Sequence, residues 1–121
     1  MPDTAPLLQA LNLTLDGSGN GTVRFGPVPG FQQWDISLYA VTAGGPNTKQ
    51  ALVKVYRNLV NDANLIDGTY SGNFDTSSQN PPISLVVGES LYFVFSGGNP
   101  SVAASVRIEG IAKSIDTLGA Q

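Results

Sequence analysis

Acidic residues are the main candidates for chemistry in this sequence, because it contains no histidine and no cysteine. Their absence excludes the usual general base, a thiolate nucleophile and a zinc–thiolate site. Only two glutamates are present: Glu89 falls in a predicted turn, and Glu109 on the outward face of a predicted strand. No spacing among the carboxylates favours a glycosidase pair, and no motif surrounds any serine. We therefore expect no catalytic residues and predict that the protein is not an enzyme.

Four residues with oxygen-bearing side chains follow the fourth predicted strand: Asp62, Asn64, Asp67 and Asp75. Calcium prefers such ligands. The EF-hand spacing D-x-[DN]-x-[DN]-G is not present, because the third acidic position is displaced by one residue. Asp and Asn are also common turn formers. We favour the turn interpretation, and we expect no metal and no cofactor.

Two features bear on phosphate binding. The run Gly17-Ser18-Gly19-Asn20-Gly21 does not have the G-x-G-x-x-G spacing of a dinucleotide site, and a strand pattern follows it rather than a helix. It is better explained as the turn of a β-hairpin. The basic residues are scattered along the chain and form no stripe that could neutralise phosphates, so we expect no binding to nucleic acid. They are Arg24, Lys49, Lys54, Arg57, Arg107 and Lys113.

The composition is unusual in its low content of charge. Charged residues make up 12% of the sequence, with a formal net charge of −3, against about 25% in ordinary globular domains. A surface of this kind fits packing against neighbouring proteins, and it also fits a turn-rich all-β domain; both explanations stay open. No apolar run reaches the ~18 residues of a membrane span. Residues 1–6 have neither a basic nor an apolar region, so we expect no signal peptide.

Short alternating runs separated by Gly, Pro and Asn indicate the elements that must position these residues. Eight strands are predicted, at 7–15, 22–28, 33–42, 50–57, 68–73, 83–87, 90–96 and 102–111. Strands at this spacing are typical of an antiparallel β-sandwich, either jelly-roll or immunoglobulin-like, with seven to eight strands. We expect an all-β domain at 7–113, an N-terminal arm at 1–6 and a C-terminal tail at 114–121. The first two strands are predicted to form a hairpin.

The alternation also predicts which side chains are buried and which make contacts. The expected core consists of Leu11, Leu13, Trp34, Ile36, Leu38, Val53, Val55, Phe93, Phe95, Val106 and Ile108. Tyrosine is enriched at interfaces, so the candidates for exposed contacts are Tyr39, Tyr56, Tyr70 and Tyr92.

Several turn and strand motifs resemble those of small β-sandwich virion proteins from tailed bacteriophages of actinobacteria. The resemblance covers about two-thirds of the chain and is carried by Gly21-Thr22-Val23-Arg24-Phe25-Gly26-Pro27-Val28-Pro29, by Asn64-Leu65-Ile66-Asp67-Gly68-Thr69-Tyr70-Ser71-Gly72-Asn73-Phe74-Asp75, by Leu85-Val86-Val87-Gly88-Glu89-Ser90-Leu91, by Phe95-Ser96-Gly97-Gly98-Asn99-Pro100 and by Val106-Arg107-Ile108-Glu109-Gly110.

This resemblance implies a virion protein of the capsid-decoration, head-fibre or minor-tail type that is made in the host bacterial cytoplasm. We expect a capsid decoration protein, which binds the major capsid protein or other virion proteins and stabilises the assembled head. The alternatives are a minor tail or tail-tip protein and a carbohydrate-binding β-sandwich. We expect a homo-oligomer, with a trimer favoured by the three-fold positions of capsids, and no membrane partner.

Overall fold

The computed structural model describes residues 4–43, 51–70 and 75–114. Within them the chain forms eight strands: β1 Thr4–Thr14, β2 Gly21–Phe25, β3 Gln32–Ala43, β4 Leu52–Arg57, β5 Leu65–Tyr70, β6 Asp75–Leu85, β7 Leu91–Ser96 and β8 Ala103–Ser114. One 3-10 turn, Asp62–Asn64, is the sole helical element of the described residues. The same residues contain no helix of the length and hydropathy that crossing a bilayer would require.

The strands form two four-stranded antiparallel sheets that pack as a sandwich. The first sheet has the order β1-β8-β3-β6, and the second has the order β2-β7-β4-β5. Most strands along the chain alternate between the sheets, which gives the interleaved order of a jelly roll. The all-β sandwich predicted from the sequence is confirmed, and the strand order identifies it as a jelly roll rather than an immunoglobulin-like fold.

The hairpin predicted for the first two strands is wrong. β1 pairs with β8 in the first sheet, whereas β2 pairs with β7 in the second. The glycine-rich segment between them is therefore a corner from one sheet to the other. At this corner Gly19 has a φ of 77°, and a Cβ at that position would lie 2.0 Å from the carbonyl oxygen of Gly98. Only glycine fits there, because both the backbone conformation and the close approach exclude a side chain.

The core lies between the two sheets and is filled by one inward-facing row from each strand. Aromatic rings form its centre: Phe93 contacts Phe25 and Tyr39 edge to face, with ring centroids 5.7 and 5.2 Å apart. Such pairs add about 0.5–1.5 kcal/mol to the stabilisation from burial. The predicted core residues that are buried are Trp34, Ile36, Val53, Val55, Phe93, Phe95, Val106 and Ile108.

A bulge in β3 overturns the prediction for Leu38 and Tyr39. Ile36 pairs with Gly110 of β8 and Leu38 with Glu109, so that Ser37 is left over on β3. An extra residue reverses the facing of every side chain that follows it. Leu38 therefore lies on the outer face of the first sheet, partly exposed, while Tyr39 is fully buried.

The prediction for the N-terminal strand is corrected at Leu11 and Leu13. Leu11 is 38% exposed and Leu13 is only partly buried, although Leu7 and Leu15 are both in the core. β1 is an edge strand of 11 residues, and β2, at the same side of the second sheet, has only five. The second sheet is therefore too short at this side to cover the inward-facing side chains in the middle of β1.

The segment between β4 and β7 contains more strand than the sequence predicted. The expected strand at 68–73 is β5, which begins at Leu65, and residues 71–74 lie outside the described part of the chain. The expected strand at 83–87 is the end of β6, which begins at Asp75 and includes Pro81 and Pro82. Proline is tolerated there because β6 is an edge strand and its pairing with β3 is interrupted between Ser78 and Ile83.

The described part of the predicted N-terminal arm is strand. Thr4 pairs with Lys113 and Pro6 with Ile111, so the ladder with β8 extends over residues that the sequence analysis placed outside the domain. At the other end β8 continues through Ser114. Residues 1–3 of the arm and 115–121 of the tail lie outside the described residues.

Candidate functional site

The acidic cluster proposed from the sequence is separated into different environments. Asp62 and Asn64 belong to the 3-10 turn, which Asn61 caps by accepting a hydrogen bond from the Asn64 backbone N–H. The Asn64 side-chain amide donates to the carbonyl oxygen of Arg57, at 2.7 Å. No group of three or more carboxylates that could hold a metal occurs among the residues the structure describes. The side chain of Asp75 lies outside them.

Asp67 is the centre of a polar network that joins the two sheets. Its Oδ2 accepts hydrogen bonds from the Tyr39 hydroxyl, from Ser77 Oγ at 3.2 Å and from Gln79 Nε2 at 3.0 Å. Its Oδ1 accepts from the Gly68 backbone N–H at 2.8 Å. Burial disfavours the charged carboxylate, but these hydrogen bonds outweigh burial and lower the pKa of Asp67. The network ties β5 to β3 and β6, so Asp67 has a structural role that accounts for its polar contacts.

A second carboxylate, Asp35, lies on the outer face of the first sheet. Its Oδ2 is 2.7 Å from Nζ of Lys113, and its Oδ1 accepts hydrogen bonds from Ser84 Oγ and Gln33 Nε2. The hydrogen bond from Lys113 is the largest influence, and together with the other two donors it lowers the pKa of Asp35 to about 2. This group links β3 to β6 and β8, and it stays ionised over the physiological range of pH.

Two of the four tyrosines proposed as contact residues are not available for contact. Tyr39 and Tyr56 are buried, and Tyr92 is partly buried. The side chain of Tyr70 lies outside the described residues. The burial of Tyr39 follows from the bulge in β3.

Five of the ten large exposed apolar side chains of the described residues lie in connections at one end of the sandwich. This end carries the β2–β3, β4–β5 and β6–β7 connections. The large exposed apolar residues in these connections are Phe31, Leu59, Val60, Val86 and Val87, whose exposures range from 48% to 61%. We call these five residues the apolar loop end. Large exposed apolar side chains that gather in one region of a protein make that region a candidate interaction site.

Hydrogen bonds between the connections fix the backbone of the apolar loop end. The N–H of Val28 donates to the carbonyl of Glu89 at 2.9 Å, and the N–H of Gly88 donates to the carbonyl of Val28 at 3.0 Å. The N–H of Asn58 donates to the carbonyl of Ser90 at 2.8 Å. Each pair joins two different connections, so all three are held together. Binding through such a surface loses little conformational entropy.

Phe31 occupies a strained position within this surface. Its φ is 64°, in the left-handed region that a bulky residue adopts at a cost of about 1–2 kcal/mol. Its side chain is 61% exposed, so packing within the described chain does not explain the strain. Strain of this kind concentrates at functional sites, which makes Phe31 the leading candidate for a contact residue.

Two charged side chains at this end, those of Glu89 and Arg57, form hydrogen bonds with its backbone. Glu89 Oε1 accepts a hydrogen bond from the N–H of Val86 at 3.0 Å. Arg57 reaches from β4 to the carbonyl of Ser84 on β6, at 2.8 Å. The apolar loop end was not predicted from the sequence, because Val86 and Val87 were included in a predicted strand. Apolar residues beside turn glycines, as in Gly30-Phe31 and Val87-Gly88, are the signal that could have found it.

Comparisons with known proteins find little similarity. No protein-family model matches the sequence, and no curated protein matches it. Two chains of solved structures match. One, from a Nora virus structure, is 13% identical in an alignment that covers all of this chain and 63% of that chain, with a TM-score of 0.43. The protein thus spans less than two thirds of the viral chain. A similarity this low does not bear on function, and the resemblance to actinobacterial phage proteins stays a prediction.

Proposed function

We propose that the protein is a bacteriophage virion protein that binds the outside of the assembled head and stabilises it. The observation that carries the proposal is the apolar loop end, which offers a preorganised surface for another protein. The jelly roll is a recurrent architecture of viral capsid proteins, although a fold alone does not decide function. The resemblance of the turn motifs to those of phage virion proteins suggests the class of partner that we propose, which is the major capsid protein.

Docking through this surface requires no chemistry. Each of the five side chains is about half exposed, so covering what remains contributes about 1 kcal/mol per residue. Contacts of this strength hold a shell together when many copies bridge neighbouring subunits at once. A homo-oligomer would raise the avidity further. The low charge of the sequence reduces the cost of removing its surface from water.

The alternatives receive less support from the described residues. A carbohydrate-binding sandwich stacks sugars on an exposed aromatic row. Among the described residues, however, Trp34, Tyr39 and Tyr56 are buried, Tyr92 is partly buried, and only Phe31 is largely exposed. An enzyme needs convergent acid–base groups, whereas Asp35 and Asp67 are each engaged in structural hydrogen bonds. A minor tail protein would use the same kind of docking surface, so the experiment must separate head from tail.

The test is to delete the gene from the phage and to heat the resulting particles. We expect heads that assemble but release DNA at a lower temperature than wild-type heads, and that recover when purified protein is added. The double variant Phe31→Asn/Val87→Ser should fail to restore stability. Ile111→Ser, which removes a comparably exposed side chain from the outer face of the first sheet, should restore it. Heads of unchanged heat stability with defective tails would reject decoration in favour of the tail role.

A further inference from the structure

The edges of the two sheets differ in how well they are protected. A sheet edge carries free backbone N–H and C=O groups that can pair with another chain, and proteins block edges with short strands, charges, prolines or bulges. The edge strands are β1 and β6 in the first sheet, and β2 and β5 in the second. Three of these four have such protection.

β6 contains Pro81 and Pro82, where its ladder is interrupted. β2 has only five residues, and one of them is the exposed Arg24. β5 has six residues, with a register shift in its ladder to β4. β1, by contrast, is 11 residues long, pairs with β8 without a register shift, and has no charged side chain from Thr4 to Leu15.

The direction of the β1 backbone groups follows from one hydrogen bond. The N–H of Leu15 donates to the carbonyl of Val102, so Leu15 points its backbone groups towards the β8 side. Backbone direction alternates along a strand, and the register is unbroken. The N–H groups of Leu8, Ala10 and Asn12 therefore point away from β8, to the free edge. Pro6, which has no N–H, falls on the same side, which is the position that suits proline in an edge strand.

The side chains beside this edge are also unprotected. Leu8 is 65% exposed, the highest value among the large apolar residues of the described chain. Ala10 and Leu11 next to it are exposed as well. Leu8 points to the outer face of the first sheet, and Leu11 lies along the open side of the sandwich. An added strand would cover both.

We propose that β1 pairs antiparallel with β1 of a second copy of this chain, across a two-fold axis, so that the two first sheets become one continuous sheet of eight strands. The strand is self-complementary, because the same free N–H and C=O groups serve both copies. It brings no like charges together, which would oppose self-pairing. A register centred on Gln9 places Leu8 opposite Ala10 of the second copy, a large side chain against a small one. The proposal does not depend on the proposed head-binding function.

Sedimentation equilibrium of the purified protein tests the pairing. We expect a monomer–dimer equilibrium. The double variant Leu8→Lys/Ala10→Lys places four ammonium groups together in the dimer and should raise the dissociation constant by about tenfold or more. Thr76→Lys is the matched control, because Thr76 is an exposed residue of β6, the opposite edge of the same sheet, and its dimerisation should equal that of the wild type.

Hydrogen exchange of the wild type provides the second measurement, which does not depend on the folding of any variant. The amides of Leu8, Ala10 and Asn12 should become protected as protein concentration rises. A protein that stays monomeric at high concentration overturns the proposal, as does a trimer, which the sequence led us to expect. A dimer whose β1 amides exchange equally fast at all concentrations also overturns it and assigns the contact to another surface.

Discussion

The hydroxyl of Tyr39 provides the sharpest test of how the two sheets are joined. Tyr39→Phe removes one oxygen atom and keeps the ring that contacts Phe93. The hydroxyl donates to the Asp67 carboxylate, and a hydrogen bond to a charged group contributes about 1.5–3 kcal/mol. Asp67 is partly exposed and keeps its other hydrogen-bond donors, so water can replace part of the hydrogen bond that is lost. We therefore expect the free energy of unfolding to fall by about 1–2 kcal/mol at pH 7, which corresponds to a decrease of about 5 °C in Tm.

The loss of unfolding free energy in Tyr39→Phe should be smaller at low pH than at pH 7. The pKa of Asp67 lies below its ordinary value of 3.8, because hydrogen bonds outweigh the effect of burial. A depressed pKa stabilises the fold above the unfolded value, and this stabilisation is lost as the pH falls through the folded pKa. Urea unfolding at pH 7 and at the lowest pH at which the protein stays folded measures how far the loss of stability declines. The control is Tyr92→Phe, since the hydroxyl of Tyr92 makes no hydrogen bond among those seen in the described residues. A loss below about 0.5 kcal/mol, or one of equal size at both pH values, would refute the argument.

Four further outcomes are expected. Gly110→Ala should destabilise the protein by about 2 kcal/mol or more in urea unfolding, because its Cβ would lie 2.0 Å from the carbonyl oxygen of Asp35; a neutral result would contradict the close approach of β3 and β8. Lys113→Met should raise the pKa of Asp35 from about 2 towards 3.8 in an NMR titration. It should cost stability at pH 7, and this cost should disappear as the pH falls through the pKa of Asp35, because the carboxyl is then protonated with or without its partner. EDTA should leave Tm unchanged, and a large drop restored by calcium would reinstate a site near Asp62. Phe31→Asn should keep or slightly raise stability, because asparagine tolerates a positive φ; a loss above about 1 kcal/mol would show that Phe31 serves the fold.

The sandwich was predictable because most of the chain follows a period of two. Runs such as Val53 and Val55, or Phe93 and Phe95, place one face in the core and need no knowledge of their partners. Burial of these residues follows from local alternation alone. The order of the strands in the sheets does not, because pairing depends on contacts between residues far apart in the chain. The hairpin predicted at Gly17–Gly21 failed for this reason.

The bulge at Ser37 explains the largest error in the core. It is set by the pairing of β3 with β8, opposite Gly110, and a single sequence gives no sign of that pairing. One inserted residue then exchanged the roles of Leu38 and Tyr39. The resulting burial of Tyr39 brings its hydroxyl into the hydrogen-bond network of Asp67. From the sequence, Asp67 had been considered only as a calcium ligand or a turn residue.

The apolar loop end could be found only by bringing distant segments together. Phe31, Leu59 and Val86 belong to three connections that are far apart in the sequence and adjacent in the jelly roll. Each is unremarkable alone, since single exposed apolar residues are common. Their concentration at one end, together with the strained φ of Phe31, distinguishes them.

Binding to purified heads that lack the protein tests the central claim most directly. The wild-type protein should bind such heads saturably, with a fixed number of copies per head. Phe31→Asn/Val87→Ser should bind at least about tenfold more weakly, since it removes two of the half-exposed apolar contacts, while its Tm stays close to that of the wild type. Equal binding by the double variant, or no binding of the wild-type protein to heads, would contradict docking through the apolar loop end.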